Sequence, residues 1–294
     1  MLDPRVLSSI ADLEFVARVT VDGAVAGLHR SQFHGYSAEF SQYRHYRPGD
    51  DLKYVDWKLF ARTDRVYTKQ YRETTNMPTA LVMDASASMG FRGTRSASKF
   101  EYGRVLASAL AYLVSSQGDA VGLAVFDDVL RAHVPSRAGQ PHLRALLTTL
   151  TRVAPAGATA AATALRRSVD LLKRRGVLIL FSDLYEEGEE IDGELKRATR
   201  AGHDVTVVHV LTREEIEFPY RGDLEFEDVE SGRTVLTNSG AIAPAYRAEV
   251  ASFLHRWRTR CDGWGIDYMP AVSDLPPDEV LRTYLLKRSR APVR

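Results

Sequence analysis

The sequence predicts a doubly wound α/β fold, a mostly parallel sheet with helices on both faces and a small β-rich N-terminal subdomain. Three observations carry that expectation. From about Thr79 onward, short apolar runs of strand length alternate with amphipathic stretches of helical length. The composition, 45% hydrophobic and 26% charged, is that of an ordinary globular chain. No internal repeat or low-complexity tract interrupts the pattern.

The first part, residues 1–75, opens with an amphipathic helix. Val6, Leu7, Ile10, Leu13, Val16 and Ala17 share a face, and Asp3-Pro4 supplies an N-cap and first-turn pair. Residues 29–73 then hold ten of the chain's 27 aromatic residues, among nine Lys or Arg and six Asp or Glu. Gly35, Pro48 and Gly49 punctuate this stretch, so it is expected to form short strands and turns around an aromatic core.

The second part, residues 76–294, is read element by element. Ala80–Met83 is a short buried strand, and Lys99–Ser116 a helix with Phe100, Val105, Leu106, Leu110 and Leu113 inward. Ala120–Phe126 is a strand, with Val129–Val134 pairing back on it across Asp127-Asp128. Helices are expected near Pro141–Arg152 and Thr159–Arg174, followed by the strand Val177–Phe181. A helix near Gly193–Ala201 leads to the strand Asp204–Leu211. Residues 223–237 break the rhythm, because two short strands around Ser231-Gly232 read as an inserted β-hairpin. A helix over Ala243–Arg260, a strand at Ile266–Met269 and a helix from Pro277 to Arg288 complete the chain.

The chemistry-bearing residues gather at predicted strand ends. Asp84 closes the first buried strand and is followed at alternate positions by Ser86 and Ser88; Asp183 stands just past Val177–Phe181; Thr159 opens a helix after Gly157-Ala158. Ligands of doubly wound sheets bind outside the carboxyl ends of the strands, where strand order reverses. Singly, each of these residues is an ordinary cap or turn former. Together they offer five oxygen donors without thiolate or imidazole, a set suited to Mg²⁺, Mn²⁺ or Ca²⁺ rather than Zn²⁺.

Asp84-x-Ser86-x-Ser88 with Thr159 and Asp183 resembles the metal-ion-dependent adhesion site of von Willebrand factor type A domains. That resemblance implies that the serines contact the metal, that Thr159 and the aspartates complete its surroundings, and that one position stays open for a partner's carboxylate. A wider resemblance covers about residues 25–290. Tyr46-Arg47-Pro48-Gly49-Asp50-Asp51, Val55-Asp56-Trp57, Ala61-Arg62, the segment 226–232 and Gly265-Ile266-Asp267-Tyr268 are similar to the signature of the bacterial domain of unknown function 58 family. Many members carry membrane helices ahead of this region; this sequence has none and resembles the soluble form. The family commonly accompanies MoxR-type AAA+ ATPases, which makes such an ATPase the partner the resemblance implies.

Other functions find less support. A net charge of +1 argues against bulk electrostatic nucleic-acid binding, and the acidic residues of 29–73 dilute its Arg and Tyr as a strand-binding surface. The longest uncharged run, Val105–Gly118, is fourteen residues and too short to span a membrane. The first residues lack a signal-peptide pattern, and the expected location is cytoplasmic. Cys261, the single cysteine, is expected to be a small buried side chain, and the eight histidines show no ligand spacing. The sharpest enzyme alternative, a haloacid-dehalogenase-like metal-dependent phosphatase, would use Asp84, Thr159, Lys173 and Ser182-Asp183. Its general acid falls on Ser86, which cannot protonate a leaving group. The expectation is therefore a metal-dependent protein-interaction module and not an enzyme, with the phosphatase and a nucleic-acid-binding accessory protein as alternatives.

Overall fold

The computed structural model describes residues 13–26, 40–45, 55, 57–63, 65–71, 77–158, 161–172, 175–185, 190–229 and 232–290. The chain separates into two compact units, residues 34–76 and the remainder.

In the smaller unit, β1 (Phe40–His45) pairs antiparallel with β2 (Tyr67–Tyr71) through a register shift between Phe40 and Gln42. The His45 and Tyr67 rings sit 4.5 Å apart across the pair. Between the strands runs a short helix, α2 (Trp57–Thr63), in a stretch the sequence reads as short strands and turns rather than long helices. Trp57 meets Phe60 edge-on at 6.2 Å, a contact three residues apart on one helix face. The Tyr46–Asp51 segment lies outside the described residues.

The larger unit begins with α1 (Leu13–Ala26), whose buried residues Leu13, Val16, Ala17, Val21 and Ala24 recur at helical spacing. The expected contributions of Val6, Leu7 and Ile10 fall outside the described residues. Then come β3 (Thr79–Asp84), α3 (Lys99–Ser116), β4 (Val121–Phe126), β5 (Leu130–Arg137), α4 (Gln140–Arg152), α5 (Ala161–Leu171), β6 (Val177–Ser182), α6 (Glu190–Arg200) and β7 (Asp204–Leu211). A five-residue helix α7 (Arg213–Glu217) follows, then the hairpin β8 (Asp223–Glu227) and β9 (Thr234–Asn238), the long α8 (Ser239–Trp264), β10 (Asp267–Val272) and α9 (Pro277–Arg290).

Among the described residues the main sheet has six strands in the order β10-β7-β6-β3-β4-β5, with only β5 antiparallel. Its first strand, β3, lies between β4 on one side and β6 on the other, so strand order reverses there. The fold is a doubly wound α/β sheet, as expected. The inner strands β7, β6, β3 and β4 are buried on both faces, and their residues alternate between two cores. Leu81 and Met83 point to a layer containing residues of α1, α3, α4 and α9. Ala80 and Val82 point to a layer containing residues of α5, α6 and α8. Cys261 is a fully buried member of the second layer. No helix among the described residues is long and apolar enough to cross a membrane.

Candidate metal centre at the sheet's carboxyl edge

Asp84 is the last residue of β3 and is fully buried. The chain then turns through Ser86 into a 3₁₀ turn, Ala87–Gly90. Two neighbours hold this loop. Ala85 N–H donates to the Phe126 carbonyl at 2.6 Å, while Ala87 N–H donates to the Gly157 carbonyl at 2.8 Å and Ala156 N–H to the Ala85 carbonyl at 2.8 Å. The loop that leads toward Thr159 is thus stitched to the loop carrying Ser86 and Ser88. Gly157 has φ +73°, a left-handed conformation that favours glycine. Thr159 itself lies outside the described residues.

Asp84 Oδ1 accepts the Ser86 N–H at 2.9 Å, which curls the loop back over the carboxylate. Its Oδ2 accepts the Ser182 hydroxyl at 2.7 Å, linking the ends of β3 and β6. Above it the hydroxyl oxygens of Ser86 and Ser88 stand 3.1 Å apart, Ser86 buried and Ser88 half-buried toward solvent. Burial, then the charge of Asp183, raises the Asp84 pKa from 3.8 to about 7.

Asp183 follows β6 directly and is also buried. The next residue, Leu184, adopts φ +57°, uncommon for a branched side chain. Its N–H donates to the Ser182 hydroxyl oxygen at 3.0 Å, which holds the turn closed. The register of β6 with β7 sets Ser182 beside His209. His209 Nε2 donates to the Asp183 carbonyl at 2.8 Å, and its Nδ1 accepts the Tyr268 hydroxyl at 2.7 Å. Burial pushes the His209 pKa down to about 4, and this bonding pattern is that of the neutral ring.

One cation is already present. Lys99, the first residue of α3, is 1% exposed and places Nζ 2.7 Å from Asp183 Oδ2 and 2.6 Å from Glu215 Oε1. Burial works against its charge, but the two carboxylates prevail and raise its pKa. Glu215 belongs to α7, where its Oε2 accepts the Thr212 N–H at 2.7 Å and the Thr212 hydroxyl oxygen accepts the Glu215 N–H at 3.2 Å. That reciprocal capping box aims the free Oε1 at Lys99. The Tyr185 ring covers the ammonium at 4.9 Å.

The structure therefore brings Asp84, Ser86, Ser88 and Asp183 to one edge, and adds Ser182, which the sequence reading names only in the phosphatase alternative, and Lys99, Glu215 and His209, which it does not single out. Two of these left a signal. Lys99 sits in the first turn of a helix, where the dipole disfavours a cation, and Thr212-x-x-Glu215 spells a capping box. Among the described residues no three His, Cys, Asp or Glu side chains form a metal-ligand group. What converges is a pair of carboxylates with three hydroxyls. The hydroxyl pair fits a hard octahedral ion: adjacent oxygens around Mg²⁺ at about 2.0–2.1 Å lie about 2.9 Å from each other, close to the 3.1 Å between Ser86 and Ser88.

The family model described as "Protein of unknown function DUF58" matches residues 42–257. The chain belongs to this family. An uncharacterized protein of Mycobacterium bovis is 32% identical to this DUF58 chain over 255 residues, covering 85% of it and 78% of the relative. Solved structures similar to it include an aerotolerance-related membrane protein from Bacteroides fragilis, at 16% identity and TM-score 0.47, covering 72% of this chain and 99% of that one. The von Willebrand type A domain of SpRpn10 is similar at 9% identity and TM-score 0.42, over 70% of this chain and 93% of that domain. The phosphatase alternative gains nothing from the geometry: Asp183 pairs with Lys99, and Lys173 lies outside the described residues.

Proposed function

We propose that this DUF58 protein is a metal-dependent protein-interaction module. Ser86 and Ser88 would hold Mg²⁺, or Mn²⁺ or Ca²⁺, with Thr159, and the carboxylates of Asp84 and Asp183 would supply negative charge. When bound, the ion supplies a Lewis-acidic position for a carboxylate oxygen of the partner. The observation that carries this reading is the Ser86–Ser88 hydroxyl pair, 3.1 Å apart beside a buried carboxylate at the point where strand order reverses.

Capture of a carboxylate suits the surroundings better than catalysis. Asp84 accepts bonds on both oxygens, Asp183 is paired with an ammonium, and His209 is turned to a backbone carbonyl and Tyr268. None of these groups is free to shuttle a proton to a substrate. The partner then presents an exposed Asp or Glu, and the resemblance makes a MoxR-type AAA+ ATPase of the same cell the first candidate.

Pull-down of that ATPase by the full chain, in Mg²⁺, in EDTA and with Ser86→Ala, is the test. Ser86→Ala deletes one donor oxygen and is expected to reduce retention about 10-fold, the loss typical of disturbing a metal site. EDTA should do the same to the parent. Equal retention in all three conditions would defeat the reading.

A further inference from the structure

Lys99 is an expensive residue with no part in the fold's apolar core. A buried ammonium is tolerated only when well paired, and the first turn of α3 is electrostatically the wrong end of a helix for it. Its partners come from two other elements: Asp183 just past β6 and Glu215 in α7. Phe91 at 6.0 Å and Tyr185 at 4.9 Å put aromatic rings around it. The three charges sum to one negative, and the ammonium is on the same carboxylate that the metal reading assigns to the ion.

We propose that Lys99 is a positioning residue that keeps Asp183 out of the metal's inner sphere. This rests on the metal reading above and assigns the regulation of that site. Held by Lys99 at Oδ2 and by the Tyr185 N–H at Oδ1, Asp183 acts on the ion at a distance. Its attraction is partly cancelled by the ammonium 2.7 Å away. Two consequences follow for the ion. It is bound more weakly than two direct carboxylates would bind it. It also keeps more of its positive charge for the incoming carboxylate of the partner. Lys99 thereby trades metal affinity for partner affinity.

The test measures Mn²⁺ affinity and the number of waters on bound Mn²⁺, by titration of free Mn²⁺ and water-proton relaxation, on the full chain. Lys99→Met is expected to bind Mn²⁺ at least about 10-fold more tightly, because the site loses one positive charge. It should carry one water fewer, because Asp183 is released to coordinate. Asp183→Ala, which removes the side-chain oxygens outright, is expected at saturating Mn²⁺ to leave the water number at the parent value. Unchanged or weaker Mn²⁺ binding by folded Lys99→Met would overturn the proposal, and so would one extra water in Asp183→Ala. If Lys99→Met does not fold, the Asp183→Ala water number decides alone. Asp84→Ala separates the two readings: a parent that binds no better than Asp84→Ala loses the metal site itself. A parent that binds while Asp84→Ala does not, with Lys99→Met unchanged, loses only the role of Lys99.

Discussion

Asp84 and His209 are both buried at the sheet's carboxyl edge, and they affect stability in opposite directions over the same pH range. Asp84 has its folded pKa raised from 3.8 to about 7, so its contribution is fully present in acid and is lost as pH rises toward 7. His209 has its folded pKa lowered from 6.5 to about 4, so the unfolded chain takes up its proton first and stability rises with pH across that interval. The parent profile contains both and partly cancels. A difference isolates one: in EDTA, Asp84→Asn is expected to gain stability on the parent progressively between about pH 4 and 7, by a few kcal/mol at most. Thermal unfolding of both proteins across that range checks it, and a difference independent of pH would mean that Asp84 ionises like an exposed carboxyl. At this scale Asp84, Ser86, Ser88 and Asp183 were legible because each stands at a strand end. Lys99 and Glu215 were not, because their meeting depends on α7 folding 116 residues away from Lys99 in sequence.

The elements that build the edge were legible in proportion to their length and periodicity. Lys99–Ser116 reads as a helix from its spacing and is one, closed at its start by a Ser98–Glu101 capping box. Helix α7, five residues long, has no periodicity to read, and α2 is a helix hidden among strand-like aromatics. The loop before Thr159 depends on one residue. A Cβ on Gly157 would meet Asp128 Oδ1 at 3.5 Å and Asp127 Oδ2 at 3.6 Å, ordinary contacts, so space does not forbid it. Its φ of +73° does the forbidding. Gly157→Ala is expected to cost about 1–2 kcal/mol from the left-handed conformation. It should also weaken Mn²⁺ binding, since the Gly157 carbonyl holds Ala87 beside Ser86. Gly193→Ala is the control: it lies inside α6 with nothing near its Cβ position, and should gain up to about 1 kcal/mol. Urea unfolding of both variants reads the contrast, and equal effects would show that the Gly157 conformation is not required.

Across the larger unit, two apolar layers sandwich the sheet, and α1 belongs to the layer that also contains α3, α4 and α9. Leu13, Val16 and Ala17 of the apolar stripe of α1 were legible in the sequence, but its continuation through Val21 and Ala24 and the surface it covers were not, because that surface is assembled from helices far along the chain. Val21 lies in the middle of the stripe and is buried, on a different element from the loops that carry Asp84 and Ser86. An unpaired charge there must be taken out of water against an apolar layer, so Val21→Asp is expected to cost about 3 kcal/mol. The proposed metal site is built from loops at the carboxyl edge, and substitutions that share no partners add. At about 100 times its dissociation constant Mn²⁺ should stabilise the folded chain by about 2.7 kcal/mol. That increment should survive intact in Val21→Asp and vanish in Asp84→Ala. Denaturant unfolding of the parent, the two single variants and the double variant, each with Mn²⁺ and with EDTA, measures all the terms together. A Mn²⁺ increment lost in folded Val21→Asp would mean that the packing of α1 and the geometry at Ser86 are one cooperative unit rather than two separate ones.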